Sequence, residues 1–351
     1  MSAGYQLRDR ATAIAEAVVA REFTRHPELA ARYGPVGREK SLQDAVYHLA
    51  YLADALDADS PALFLDYVAW AKVVLAQRKV RAEDLDFHLA CIAEVVMEHL
   101  PAAVGTMAAA MVGQARDAMP GMSSTLDTFL DPARPLSPLA HQYLHALLRG
   151  ERQTASRLVL DAVARGVPVK QVYLEVFQPT QWEIGRLWQI NQLSVAQEHY
   201  CTAATQLVMS QLYPHIFASE RRGRTLVVSC VSGDLHEIGA RMVSDFFEMA
   251  GWDTFFSGAN TPHASVLQTV VERRADVLAV SATIGYHVHQ VQQLIDAARA
   301  HPQCGQLRIL VGGYPFKLDP ELWRKVGADG TADDADGAIA LAERWVEERA
   351  A

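Results

Sequence analysis

Apolar residues recur at helical spacing through the first 120 residues. In LQDAVYHLAYLADAL, Leu42, Val46, Leu49 and Leu52 are predicted to share one helical face. SPALFLDYVAWAKVVLAQR opens with Ser60-Pro61, an N-cap followed by a proline suited to the first helical position. AEDLDFHLACIAEVVMEHL repeats the helical pattern as far as Pro101. Nothing here alternates as a half-buried strand does. Residues 1–120 are therefore expected to form an all-helical domain. MPGMSSTLDTFLDPARPLSP then gathers Pro, Gly and Ser and reads as a linker.

A second helical block covers residues 136–218. Its segments are SPLAHQYLHALLRG, ERQTASRLVLDAVARG, PVKQVYLEVFQPTQWEIGRLWQ and SVAQEHYCTAATQLVMSQLYPHIF. Four amphipathic stretches with short joints predict a four-helix bundle. From Arg224 the period changes. TLVVSCV, DTFFSG, DVLAVSA and LRILVGG are short apolar runs, mostly followed by helical stretches, and a weak fifth strand near DGTA precedes a last helix. Unbroken apolar strands alternating with helices imply a parallel sheet covered on both faces. Residues 222–351 are thus expected to be a flavodoxin-like, doubly wound domain. The fold class is α plus α/β.

Composition narrows the function classes. Of 351 residues, 50% are hydrophobic and the formal net charge is −9, with no long Lys/Arg cluster. A chain of this kind is not expected to grip a nucleic-acid backbone directly. No apolar run reaches the length of a membrane span, and MSAGYQLRDR lacks the form of a signal peptide. Cys91, Cys201, Cys230 and Cys304 are scattered without CxxC spacing. Reduced thiols in the cytoplasm are expected, not disulfides or a zinc site.

The unusual residues of the last domain fall at strand ends, where this architecture binds ligands. Asp234, His236 and Gly239 follow the first strand, and Asn260 and Thr261 the second. Ser281 and Thr283 follow the third, Gly312 and Gly313 the fourth, and Asp333 and Asp334 the fifth. Helix caps and turns produce such residues singly; their joint occurrence on one edge points to a site. A histidine there can offer one ring nitrogen to a metal while a nearby carboxylate, Asp234, takes the other. Gly239 would admit a bulky ligand close to the backbone.

Asp-x-His-x-x-Gly, then Ser281-Ala-Thr283, then Gly312-Gly313 resembles the cobalamin-binding domain of methionine synthase, corrinoid methyltransferase proteins and methylmalonyl mutases. The resemblance implies that His236 is the lower cobalt ligand. It also implies that the cofactor's nucleotide tail runs past the Ser-x-Thr and Gly-Gly segments.

Trp188, nine residues, then Glu198-His199 resembles the CarH-type light receptors, in which a bundle caps the upper face of the corrin. By that resemblance Trp188 lies over the upper axial group, with Glu198 and His199 at the upper face. Those receptors carry a histidine after the tryptophan, where this chain has Gln189. His199, His141 or His145 would then have to serve as a light-state ligand. A basic DNA-binding domain is also absent from the N-terminal block. The order helical domain, bundle, cobalamin domain is similar to the photocobilins, which hold a cobalamin and a biliverdin-type bilin. Asp44, His48 and Tyr51 on one helix, or Phe87, Cys91 and Glu94 on another, are candidate linings for such a pigment; buried core or plain surface is the ordinary role of such residues.

The expected function is a light-responsive sensor holding adenosylcobalamin or methylcobalamin, with biliverdin as second chromophore, acting as a homodimer on a downstream signalling protein. The alternative is a corrinoid protein that carries methyl groups between partner enzymes. A cobalamin-binding regulator without light response is the third option. No Ser/His/Asp or paired-carboxylate constellation suggests catalysis by the chain alone.

Overall fold

The computed structural model describes residues 1–217 and 220–350. Ala218, the end of the expected bundle, and Ala351, the end of the expected cobalamin domain, lie outside the described residues. Helices α1 (Ala3–Arg25), α2 (Glu28–Asp57), α3 (Pro61–Gln77), α4 (Ala82–His99) and α5 (Ala102–Ala118) come first. Next are α6 (Ser137–Leu148), α7 (Arg152–Ala164), α8 (Val169–Val172), α9 (Gln178–Gln189), α10 (Val195–Gln211) and α11 (Tyr213–Ile216). A π-helical turn, Tyr173–Phe177, joins α8 to α9. The remainder alternates: β1 (Thr225–Cys230), α12 (Ile238–Met249), β2 (Asp253–Phe256), α13 (His263–Arg273), β3 (Val277–Ser281), α14 (Val288–Ala300), β4 (Arg308–Gly312), α15 (Tyr314–Leu318), α16 (Leu322–Lys325), β5 (Gly330–Thr331) and α17 (Ala335–Ala350). The five strands form one sheet in the order β2-β1-β3-β4-β5, with β1 parallel to both neighbours. This is the α plus α/β architecture that the hydrophobic pattern predicts.

The chain divides into two compact units. The first holds Met1–Ser124 together with Ala282–Ala297 and Val311–Asp329. Leu7, Ile14 and Val18 of α1 are fully buried at helical spacing, and Ser2 caps the helix by accepting the Tyr5 N–H. Helix α2 is broken at Gly34, whose φ of 66° precedes Pro35. Its core face is Ala45, His48, Leu49 and Leu52. Val46 is exposed, contrary to the sequence expectation. The true stripe begins one residue earlier, and Val46 points away from it. Within this unit, α2 and α3 hold the segments that follow β3 and β4. The Tyr51 and Tyr286 rings lie 5.8 Å apart. His289 Nδ1 is 2.7 Å from Asp54 Oδ1, and Tyr314 Oη donates to Asp66 Oδ1 at 2.9 Å.

The second unit holds Thr125–Ser281, Ala298–Leu310 and Gly330–Ala351. The bundle core of Tyr143, Val159, Val172, Phe177 and Met209 runs without a break onto Met242 and Phe246 of α12. Polar links reinforce this junction: Tyr173 Oη donates to Asp245 Oδ2 at 2.7 Å, and Arg241 donates to Ser210 and Tyr213. The linker is strapped to the bundle through Phe129 N–H to Glu183 and Leu136 N–H to Glu175. On the other side of α12 a second core gathers Leu226, Val228, Phe247, Trp252, Val277 and Leu310.

Candidate functional site

The turn after β1 is built around one buried carboxylate. Asp234 is fully buried, and its Oδ1 accepts both the backbone N–H of His236 at 2.9 Å and the His236 Nδ1–H at 2.8 Å. One oxygen thus fixes the backbone and the ring of the same residue. The hydrogen bond from Asp234 raises the His236 imidazole above its ordinary value, outweighing desolvation, and the charges of Asp234 and Glu198 act in the same direction. The His236 side chain is 58% exposed, so Nε2 faces outward from the turn. Asn260 braces the loop: its Oδ1 accepts the Gly233 N–H at 2.8 Å, and its own N–H donates to the Asp234 carbonyl at 3.0 Å.

Glycine places clearance where the motif requires it. A Cβ on Gly239 would meet nothing within 4 Å, and the same holds for Gly312. Gly313 differs: its φ is +108°, and a Cβ would lie 1.9 Å from the Ala282 carbonyl oxygen. There the two chain segments pack backbone against backbone. Ser281 ends β3, and its carbonyl accepts the Val231 N–H at 3.2 Å. Thr283, Gly312 and Gly313 belong to the other compact unit.

Of the bundle candidates, Glu198 acts on the same turn through its charge. Trp188 lies in the last turn of α9 and Glu198 in the first turn of α10, which is capped by a reciprocal Ser194–Gln197 box. Asn191, at φ 60°, lets the chain reverse between them. Glu198 accepts from Thr202 Oγ1 at 3.1 Å, and its charge reaches the His236 ring. His199 Nε2 is 3.4 Å from Glu198 Oε2 on an exposed side chain. His141 and His145 stand on the exposed face of α6. The structure brings Glu198 toward His236 and leaves these two histidines in solvent.

The N-terminal candidates do not form one lining. His48 is buried, its Nδ1 bonded to Tyr67 Oη at 2.9 Å, with the His88 ring 5.3 Å away and His88 in turn paired with Glu22. Burial holds the His48 imidazole well below its ordinary value, with a further contribution from His88. Tyr51 stacks on Tyr67 at 3.8 Å, and burial pushes its hydroxyl up to about 12. Asp44 is half-buried and burial raises its carboxyl. The second set separates: Cys91 is inside the core, Phe87 packs on His26, and Glu94 pairs with Arg21 and Arg25. Sequence reasoning missed Tyr67, His88, Glu22, Gln206 and Glu237. Only Glu237 carried a signal, its place inside Asp-x-His-x-x-Gly.

Residues 224–340 match the B12 binding domain family, and residues 139–213 match a second B12 binding domain family. These two matches and the corrinoid-protein relatives support a corrinoid as the cofactor class. Dimethylamine corrinoid protein 3 of Methanosarcina acetivorans is 23% identical over 207 residues, which covers 58% of this chain and 95% of that protein. A corrinoid protein of Desulfitobacterium hafniense is 25% identical over 167 residues, covering 46% of this chain and 76% of that one. The solved monomethylamine corrinoid protein of Methanosarcina barkeri superposes with a TM-score of 0.53 at 18% identity, over 60% of this chain and 99% of that one. This last likeness concerns the fold. No helix among the described residues is long and apolar enough to cross a membrane.

Proposed function

We propose that the bundle and the sheet hold a cobalamin between them, with His236 as lower axial ligand of cobalt. The Asp234–His236 pair carries this reading: a buried carboxylate fixes Nδ1 and leaves Nε2 presented outward, as an orienting partner does for a metal-bound imidazole. The open space at Gly239 fits a bulky ligand at this turn. Ser281, Thr283, Gly312 and Gly313 keep the tail-lining role the sequence resemblance gives them, while Trp188, Glu198 and His199 face the upper side. When bound, the cobalamin supplies a cobalt–carbon bond that can be formed and broken. The chain's own residue Asp234 orients the imidazole.

Relatives named as dimethylamine corrinoid proteins favour the carrier reading, in which a methyl group passes between partner enzymes. On that reading the bundle is a cap that must yield to those partners. A second reading, light sensing with a dimer acting on a signalling protein, draws on the sequence resemblance at Trp188, in the last turn of α9, and Glu198, in the first turn of α10. A biliverdin in the helical unit belongs to this second reading. Of its proposed linings, Tyr51 and Asp44 keep partial exposure and His48 does not.

One experiment separates the two. The full chain is loaded with methylcobalamin or adenosylcobalamin, and absorption and oligomeric state are recorded in the dark and under green and red light, with and without biliverdin. A light-driven change of assembly that Trp188→Ala alters supports sensing. Photolysis indistinguishable from that of the free cofactor, with no change of assembly, supports the carrier. A His236→Ala spectrum identical to wild type removes the ligand assignment common to both.

A further inference from the structure

Glu237 follows His236 directly and sits at the start of α12. Its two carboxylate oxygens go to different parts of the second unit. Oε1 accepts the Gln206 Nε2–H of α10 at 2.6 Å, and Oε2 accepts the Ala259 N–H at 2.9 Å. Ala259 precedes Asn260, the residue that braces Gly233 and Asp234. Gln206 lies two turns along α10 from Glu198, the residue whose charge reaches His236 from the bundle side. A continuous series of hydrogen bonds thus runs from α10 through Glu237 to the loop after β2, back to Gly233 and Asp234, and so to the His236 ring. Arg241, one turn further along α12, makes a second bond to the end of α10 through Ser210.

We infer that Glu237 is a positioning residue that ties the bundle helix α10 to the loop orienting His236, so that the bundle's position and the lower ligand's position are set together. The inference rests on His236 being the lower cobalt ligand. Physically, the apolar packing of the bundle on α12 resists separation but tolerates sliding, and the other polar link from α12 to α10, Arg241 to Ser210, lies a turn away from the loop. A carboxylate with one oxygen on each side fixes register. A shift of α10 at its Glu198 end must stretch the Gln206–Glu237 bond or drag the loop with it.

The test uses the full chain loaded with cobalamin, reduced to the cobalt(II) form, and reads two signals that do not depend on activity. These are the nitrogen hyperfine splitting in the electron paramagnetic resonance spectrum and the imidazole-on absorption band. Gln206→Ala is expected to raise the ratio of imidazole-off to imidazole-on cofactor about tenfold, the effect of losing one hydrogen bond to a charged group, and Glu237→Ala, which also loses the Ala259 bond, at least as much. The double variant is expected to match Glu237→Ala, because the Gln206 link is already gone there. Glu237→Gln is expected to restore the wild-type ratio, since the Gln206 amide can turn over and accept from the new amide. Should Glu237→Ala fail to fold, Gln206→Leu, on the bundle side and outside the motif, gives the same readout. Unchanged spectra in the Gln206 variants, with His236→Ala converted to imidazole-off, would overturn this inference alone. An imidazole-on spectrum surviving in His236→Ala overturns it together with the ligand assignment.

Discussion

A single oxygen of Asp234 accepts both the backbone N–H and the Nδ1–H of His236, at 2.9 and 2.8 Å. The ring therefore cannot turn without breaking a bond to a carboxylate that has no water to replace it. Asp234→Ala is expected to weaken cobalamin binding by about 10- to 100-fold, the usual cost of losing an orienting partner; equilibrium titration of the purified variant checks this.

The same pair gives the cofactor-free protein a pH dependence. The folded-state value of His236 is raised above 6.5, so its contribution to stability is fully present below 6.5 and is lost as pH rises through the raised value. The melting-temperature difference between wild type and Asp234→Asn is expected to be larger at acid pH than at alkaline pH. A difference independent of pH would show that the pair does not titrate as argued.

Asp245, in the junction of bundle and α12, shifts stability in the same sense with pH, but through burial and not through an attractive partner. Burial is the main cause that raises its carboxyl from 3.8 to about 6, against the Tyr173 hydrogen bond and the Arg241 charge. The folded state then holds a proton that the unfolded state releases between those values. Above pH 6 the ionised group opposes folding, by about 3 kcal/mol at most, and the opposition disappears as pH falls toward 3.8. Asp245→Asn, which keeps an acceptor for Tyr173, is expected to stabilise the protein at pH 8 and to leave it unchanged near pH 4 in denaturant titrations.

Two glycines of the expected cofactor path are predicted to respond differently to alanine. Gly313→Ala would place a methyl 1.9 Å from the Ala282 carbonyl at a φ of +108°, so the apo fold itself should lose several kcal/mol, roughly. Gly239→Ala meets nothing within 4 Å and should leave the apo melting temperature within a degree or two, roughly. Its cobalamin affinity should nonetheless fall at least about tenfold if the ligand uses that space. Calorimetry of the apo and loaded variants separates the two effects.

Tyr67→Phe removes the partner of the buried His48 Nδ1. An unsatisfied buried imidazole costs about 1–3 kcal/mol, and the loss should be measurable in the first unit by hydrogen exchange of α2 and α3 amides.

Element type and the succession of elements along the chain were legible in the sequence because they rest on period; the order β2-β1-β3-β4-β5 came from tertiary pairing. Short, β-branched apolar runs such as TLVVSC are too brief for helices and read as buried strands, and the three-to-four-residue spacing in the first 120 residues reads as helices. The Asp234–His236 pair was legible too, because both residues lie in one turn and local geometry suffices to bring them together. What local pattern leaves open is which face of a helix finds a partner. Val46 fits the helical spacing as well as Ala45 does, and only packing against neighbouring helices buries one and exposes the other. The neighbours of His48, Tyr67 and His88, come from other helices and could not be read from its own. The Gln206–Glu237 bond joins residues 31 positions apart on a helix of the bundle and a turn of the sheet domain. Contacts of that kind come from tertiary packing, which decides which polar atoms lose water and which atoms replace it.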